Sequence, residues 1–232
     1  MSESPKGLAY RIESRPDYAL LTVEIPQGQT IKVEAGAMAT MDTSIEMKTK
    51  MRGGLKRMLT GESMFINDFA AQKAGGEIGI APGCPGDIEH IYLENETVYL
   101  QSSSFVASTQ EIAVETKWQG MKKGFFSGES FFLIQCSGTG DLWFNTFGAI
   151  LQIDVTGGYV VDTGYIVGFT EGLDYTIQSV GGLKSLFLSG EGLVCRFSGS
   201  GKIWIQTRQP SPFVGWADYF RPVKTENSSS ND

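Results

Sequence analysis

Bulky apolar residues recur at every second position in several short runs of this 232-residue chain, as at Leu142/Phe144 and Ile203/Ile205. A period of two puts such residues on one face of a pleated strand, so each run predicts a half-buried strand. The segments "FFLIQCSGTGDLWFN" and "GLVCRFSGSGKIWIQ" each set two strand-like runs around Ser-Gly-Thr-Gly or Ser-Gly-Ser-Gly. Glycine tolerates the positive φ that short loops require, so both read as hairpins. Earlier in the chain, "FINDFAAQKAGGEIGIAP" reads as a hairpin with an extended loop.

The pattern repeats. Gly61-Glu62, Gly128-Glu129 and Gly190-Glu191 recur at spacings of 67 and 62 residues. A polar residue (Glu34, Gln101 or Asp162) lies 27 or 28 residues upstream of each pair, inside "VEAGAMA", "LQSSSFV" or "VDTGYIV". Each of these reads as a strand entering a tight turn, followed by a second strand. The reading is all-β: three tandem β-sandwich-like repeats at about 18–86, 87–147 and 148–208, packed as one pseudo-threefold domain. A lone unit of about 60 residues buries a small core, and no Pro/Ser-rich linker separates the copies. The proline-interrupted aromatic run "PSPFVGWADYFRPV" makes 209–222 a candidate docking segment, and 223–232 reads as a disordered tail.

Composition narrows the partners. A net charge of −7 opposes general nucleic-acid binding, which needs clustered Lys and Arg. Cys84, Cys136 and Cys195 have no metal-ligand spacing and read as small hydrophobes in a reducing compartment. The amino terminus has neither a signal-peptide nor a transit-peptide pattern, and no run of 18 apolar residues occurs, so a cytoplasmic location is expected.

The motifs "EAGAMATMD", "GGLKRMLTGESMFINDF", "APGCPGDIEHIYL" and "GGLKSLFLSGEGLVCRFSGSGKIWIQTR" occur in one order. With these motifs the chain, from about residue 10 to 208, closely resembles the "altered inheritance of mitochondria" family of mitochondrial-biogenesis proteins and its uncharacterised prokaryotic relatives. The resemblance implies a fold like that of the tryptophan RNA-binding attenuation protein and a homo-oligomer, a trimer being favoured. Its fungal members are associated with the mitochondrial inner membrane. It carries over no catalytic residue, because no activity is established for the family.

Candidate chemistry is sparse. His90 is the single histidine, there is no Gly-x-Ser-x-Gly elbow and no P-loop, so no catalytic residue and no cofactor are expected. Glu62, Glu129 and Glu191 would offer oxygen donors to a hard cation if the units converge, but turn carboxylates more often accept backbone hydrogen bonds, so no metal site is assigned. The stronger lead is the stretch before each Gly-Glu pair: "GGLKRMLT", "QGMKKGFFS" and "GGLKSLFLS". They place Lys56, Arg57, Lys122, Lys123, Phe125, Phe126, Lys184 and Phe187 in similar settings, as candidate contacts for an anionic membrane surface or a protein partner. The expected function is a non-enzymatic oligomeric scaffold or binding module. Small-molecule or metal binding between repeats is the alternative, and RNA binding by fold analogy comes third.

Overall fold

The fold is described from a computed structural model, which places residues 2–3, 6–50, 66–117, 133–179 and 193–221. The chain lays down β1 (Ser2–Glu3), β2 (Ala9–Glu13), β3 (Leu20–Ile25), β4 (Thr30–Glu34), β5 (Met38–Met41) and β6 (Ile45–Lys50). It continues through β7 (Ile66–Ala71), β8 (Gly76–Ile80), β9 (Ile88–Gln101), β10 (Phe105–Thr109) and β11 (Ala113–Lys117). Then come β12 (Leu133–Asn145), β13 (Ile150–Asp162), β14 (Ile166–Thr170), β15 (Leu173–Ser179) and β16 (Leu193–Gln206). The helix α1 (Pro210–Asp218) follows.

The protein is predominantly β, and its sheets do not close. One sheet has the order β1-β2-β3-β8-β5; the other runs β13-β16-β14-β9-β12-β10-β4-β7-β6, with β11 added on β12 and β15 on β16. Every strand pairing is antiparallel. The buried apolar side chains gather in three clusters, around Val23, Ile78 and Phe69, around Leu100, Phe105 and Phe144, and around Phe169, Phe197 and Ile203.

Two expectations change. The Ser-Gly-Thr-Gly and Ser-Gly-Ser-Gly segments are not hairpin turns, because β12 and β16 each run straight through them. Gly138 and Gly140 do have positive φ, 130° and 147°. That freedom bends the strand and lets a neighbour pass close over it: a Cβ on Gly140 would lie 2.1 Å from Thr109 Oγ1, and one on Gly138 would lie 2.5 Å from the Glu111 carbonyl oxygen. The glycines admit the β10–β11 turn. Likewise β7 and β8 do not form a hairpin; they lie in different sheets, β7 against β4 and β6, β8 against β3 and β5.

The second correction concerns the half-buried strands. Leu142, Trp143 and Phe144 are all fully buried. Trp143 joins the first cluster while Leu142 and Phe144 join the second, so this part of β12 is a wall between two cores. Alternation there separates two apolar environments, with water on neither side.

Candidate functional site

Lys56, Arg57, Lys122, Lys123, Phe125, Phe126, Lys184 and Phe187 all fall in 51–65, 118–132 and 180–192, outside the described residues, as do Glu62, Glu129 and Glu191. The strand ends flanking those stretches are placed. Lys50 pairs with Ile66, Lys117 with Leu133 and Ser179 with Leu193. On its other side each returning strand meets one of the three polar turn residues: Ile66 pairs with Glu34, Leu133 with Gln101 and Val194 with Asp162. The described strand ends that flank the three stretches therefore lie beside the three turns.

Those turns surround a cavity of about 370 Å³. Glu34 enters it from the end of β4, Gln101, Ser103 and Ser104 from the turn between β9 and β10, and Thr163 and Gly164 from the turn between β13 and β14. Cys84, Asn145, Phe147 and Gln206 line more of it, with Gln209 and the first residues of α1, Pro210 and Ser211. The wall is held by a polar lattice. The Gln206 amide accepts from the Phe147 N–H at 2.9 Å and donates to the Gly164 carbonyl at 2.9 Å. Asp162 Oδ1 accepts from the Gly164 N–H at 2.8 Å and from Gln209 Nε2 at 3.1 Å. Thr163 Oγ1 donates to the Leu193 carbonyl at 3.0 Å, tying the cavity wall to the start of β16.

Two groups in the cavity are unusual. Asn145 donates its amide to Cys84 Sγ at 2.8 Å, but its buried Oδ1 has no hydrogen-bond partner among the described residues. A buried, unpaired acceptor costs free energy, so a ligand donor there is favoured. Glu34 has its carboxyl raised from 4.5 to about 7 by burial. Burial, with the Glu34 charge second, also pushes the Cys84 thiol up, which makes it a poor nucleophile. The cavity is built for hydrogen bonding. No group of three or more His, Cys, Asp or Glu side chains placed to hold a metal occurs among the described residues. A larger groove of about 620 Å³ runs along β9, β14 and β16, but no buried polar atom in its wall lacks a partner among the described residues.

The helix beside the cavity carries an unusual surface. Phe213, Trp216 and Phe220 recur at helical spacing on one side of α1 and its end, with ring centroids 5.9 Å and 5.3 Å apart in succession. Phe213 packs on Phe147 at 5.5 Å, and Gln209 ties the entry to Asp162. The rest is open: Phe213, Trp216, Tyr219 and Phe220 are 49%, 63%, 85% and 65% exposed. Helix aromatics ordinarily face a core, and a contiguous exposed set marks a contact surface.

His90 has a structural setting. Its Nδ1 meets Tyr10 Oη at 3.0 Å, its Nε2 meets Asp141 Oδ1 at 2.8 Å, and its ring lies 5.1 Å from that of Trp143. Asp141 Oδ2 accepts the Leu8 N–H at 2.9 Å, so the histidine fastens the amino-terminal strand over β9 and β12. None of these groups opens into the cavity described above.

A family model described as mitochondrial biogenesis AIM24 matches residues 10–208. The chain belongs to the AIM24 family. This agrees with the resemblance carried by its motifs. An uncharacterised protein of Streptococcus pyogenes serotype M6 is 27% identical over 231 residues, covering 94% of this chain and 93% of its own. The crystal structure of a Streptococcus pyogenes protein superimposes with a TM-score of 0.78 at 25% identity, over 92% of this chain and all of the other. Neither AIM24 relative has a named activity. No described helix is long and apolar enough to cross a membrane.

Proposed function

We propose that this AIM24 protein is a non-enzymatic, self-associating scaffold that docks on an anionic membrane surface through the end bearing α1. The observation that carries it is the exposed aromatic set Phe213, Trp216, Tyr219 and Phe220. Trp and Tyr rings favour the lipid headgroup level, where one part of the ring is apolar and another wet. Arg208 and Arg221 bracket the helix, and the strand ends flanking the three lysine-aromatic stretches lie beside the turns that surround the cavity. Each basic residue near an anionic surface contributes about 1 kcal/mol, which offsets the acidity of the body locally.

The body of this scaffold is three equivalent units about a pseudo-threefold axis, with the fold of the tryptophan RNA-binding attenuation protein as its model. Strand pairing supports that reading. The β9–β12 and β13–β16 pairs are each one long antiparallel ribbon, and in the earliest unit the corresponding ribbon is split into β3–β8 and β4–β7, which lie in different sheets. In each, one short strand pairs with the late half of the returning strand (β10, β14, β5) and another with its early half (β11, β15, β6). The late pairing carries a register shift at Phe105/Ala107, Ile166/Gly168 and Met38/Thr40, equivalent positions in the aligned motifs.

Flotation with liposomes tests the docking. The protein is expected to float with vesicles containing anionic lipid, to lose flotation when Trp216 and Phe220 become Glu, and to lose its salt-sensitive part when Lys56, Lys122 and Lys184 become Glu. A folded protein that stays at the bottom of the gradient with every lipid composition sinks this reading. A second reading, a cavity that holds a small hydrogen-bond donor, is favoured by the unpaired Asn145 Oδ1. It predicts a ligand-dependent rise in melting temperature that Asn145→Leu abolishes.

A further inference from the structure

The polar groups of the cavity beside α1 divide into those already satisfied and those left over. Asn145 ends β12 and is 3% exposed. Its neighbour fixes which way its amide faces. The Cys84 S–H donates to the Thr146 carbonyl at 3.6 Å, so the sulfur is free to accept the Asn145 amide N–H at 2.8 Å. The amide oxygen is therefore the group left without a partner among the described residues. Other polar groups of the wall are committed: the Gln206 amide at both ends, Thr163 Oγ1 on the Leu193 carbonyl and Gln209 Nε2 on Asp162.

Glu34 is the second group left over. Burial alone raises its carboxyl, and no hydrogen bond or neighbouring cation acts on it among the described residues. Its charge is felt by the Cys84 thiol, and that thiol is bonded to Asn145, so the carboxyl and the amide oxygen share one neighbourhood. Among the described residues Glu34 is the only carboxylate of the lining, and no lysine, arginine or histidine lines the cavity. An anion there would lose its hydration with no positive charge to replace it. A cation that carries N–H donors meets both leftover groups, and its bond to a carboxylate is charge-assisted. A primary ammonium is the compact form of that chemistry, with three N–H groups on one nitrogen. Phe147 and Pro210 add apolar wall to a space of about 370 Å³, which suits a short uncharged body behind the ammonium.

We infer that this cavity binds the primary ammonium end of a small amine, with Asn145 Oδ1 and the Glu34 carboxylate each accepting one of its N–H groups. The inference rests on the reading of the cavity as a site for a hydrogen-bond donor and adds the ligand's class, a single cation with N–H groups. A quaternary ammonium has the charge without the donors, and a neutral amide has the donors without the charge, so each meets only one of the two groups fully. Two sources supply the same chemistry: a free amine, and the head group of an aminophospholipid. The second is relevant because Pro210 and Ser211 of the helix proposed to dock on membranes belong to the cavity wall.

Titration calorimetry of the full chain with ethanolamine, choline and acetamide, at one pH and one ionic strength, tests the class. Ethanolamine is expected to bind about tenfold or more tighter than either of the others, the scale of one charge-assisted hydrogen bond. Glu34→Gln should bring ethanolamine down to the level of acetamide, and Asn145→Leu should weaken both. Circular dichroism checks that each variant folds; Glu34→Gln keeps the side chain's shape, so its result stands even where Asn145→Leu does not fold. Equal binding of ethanolamine and choline overturns the proposal, as does ethanolamine binding that both variants leave unchanged, since an acidic body then collects cations generally. Acetamide that binds through Asn145 while ethanolamine does not overturns the ammonium and leaves the donor cavity standing. No saturable binding of any of the three overturns both. Flotation then separates the sources. Phosphatidylethanolamine added to phosphatidylcholine vesicles that raises flotation of the parent, but not of Glu34→Gln, supports the lipid head group, whereas ethanolamine binding with flotation indifferent to that lipid supports a free amine.

Discussion

β10 and β5 each follow a tight turn, each pair with a returning strand across a one-residue register shift, and neither carries a charge. Yet β10 is buried at every position and β5 is exposed at every position. The difference lies beyond their own residues. β10 has β4 on its second edge, while among the described residues β5 has no strand there. Burial in this protein is set by the neighbour across the open edge, so a strand's own pattern of side chains does not decide it.

That contrast is broken most severely at Gly168, which holds in β14 the place that Thr40 holds in β5. A Cβ on Gly168 would lie 2.7 Å from the Tyr99 carbonyl oxygen and 2.5 Å from Leu100 Cδ2, so the β9–β14 junction must open to admit alanine. Gly168→Ala is expected to cost about 2–4 kcal/mol, and Thr40→Ala about 0.5 kcal/mol or less, as for exposed sites generally. Urea unfolding of the two variants side by side checks this. Equal midpoints would mean that the internal junction is no tighter than the open edge, and the comparison would fail.

A smaller effect separates the two sides of the first unit. The outer edge of β3 is covered by β2, and β2 is fastened partly through Asp141, which is buried and bonded to His90 and to the Leu8 N–H. Asp141→Ala strands two buried partners and is expected to cost about 2–3 kcal/mol. On the exposed side of the same strand, the Arg11–Glu77 pair at 2.8 Å is open to water, and Glu77→Ala is expected to cost much less than Asp141→Ala. Limited proteolysis near residues 6–15 reports the difference, with cleavage accelerated in the first variant only. Acceleration in both would show that the surface pair shares the fastening.

Much of this was legible in the sequence and some was not, for identifiable reasons. The three turn residues Glu34, Gln101 and Asp162 stand out because each ends an apolar strand with a polar side chain before small residues. That Glu34, Gln101 and Thr163, the residue after Asp162, gather around one cavity depends on long-range pairing, which spacing does not encode. The glycines of Ser-Gly-Thr-Gly pointed to a turn because positive φ serves hairpins and bent strands equally; the deciding fact is the Thr109–Gln110–Glu111 turn crossing above them. Trp143 breaks no alternation when both faces of its strand are apolar. The aromatics of α1 were visible as a docking segment, but their exposure follows from a helix anchored at Gln209 and Phe213 that turns its remaining rings outward. The lysine-aromatic stretches lie outside the described residues, so their candidacy still rests on composition and on the strand ends beside them.

The smallest expected effect compares two carboxylates that close equivalent strands, Glu34 in the cavity wall and Asp162, which is bonded to the wall residues Gly164 and Gln209. Asp162 accepts two hydrogen bonds, which satisfy a carboxylate. Glu34 has burial as the first cause of its shift, and its carboxyl is held at about 7. The sign follows from proton counting. Between about 4.5, its ordinary value, and 7, the folded chain keeps a proton that the unfolded chain has released. Stability therefore falls as pH rises through that window and levels off above it. Glu34→Gln keeps the shape and cannot ionise, so its melting temperature should decline less than that of the parent between pH 5 and pH 8, with the two converging at the acid end. A parallel decline would place the titrating group elsewhere. A donor seated between Glu34 and Asn145 would act in the opposite direction, since a cationic donor favours the carboxylate. The pH slope measured with and without a candidate amine thus distinguishes an empty polar pocket from one shaped for a ligand.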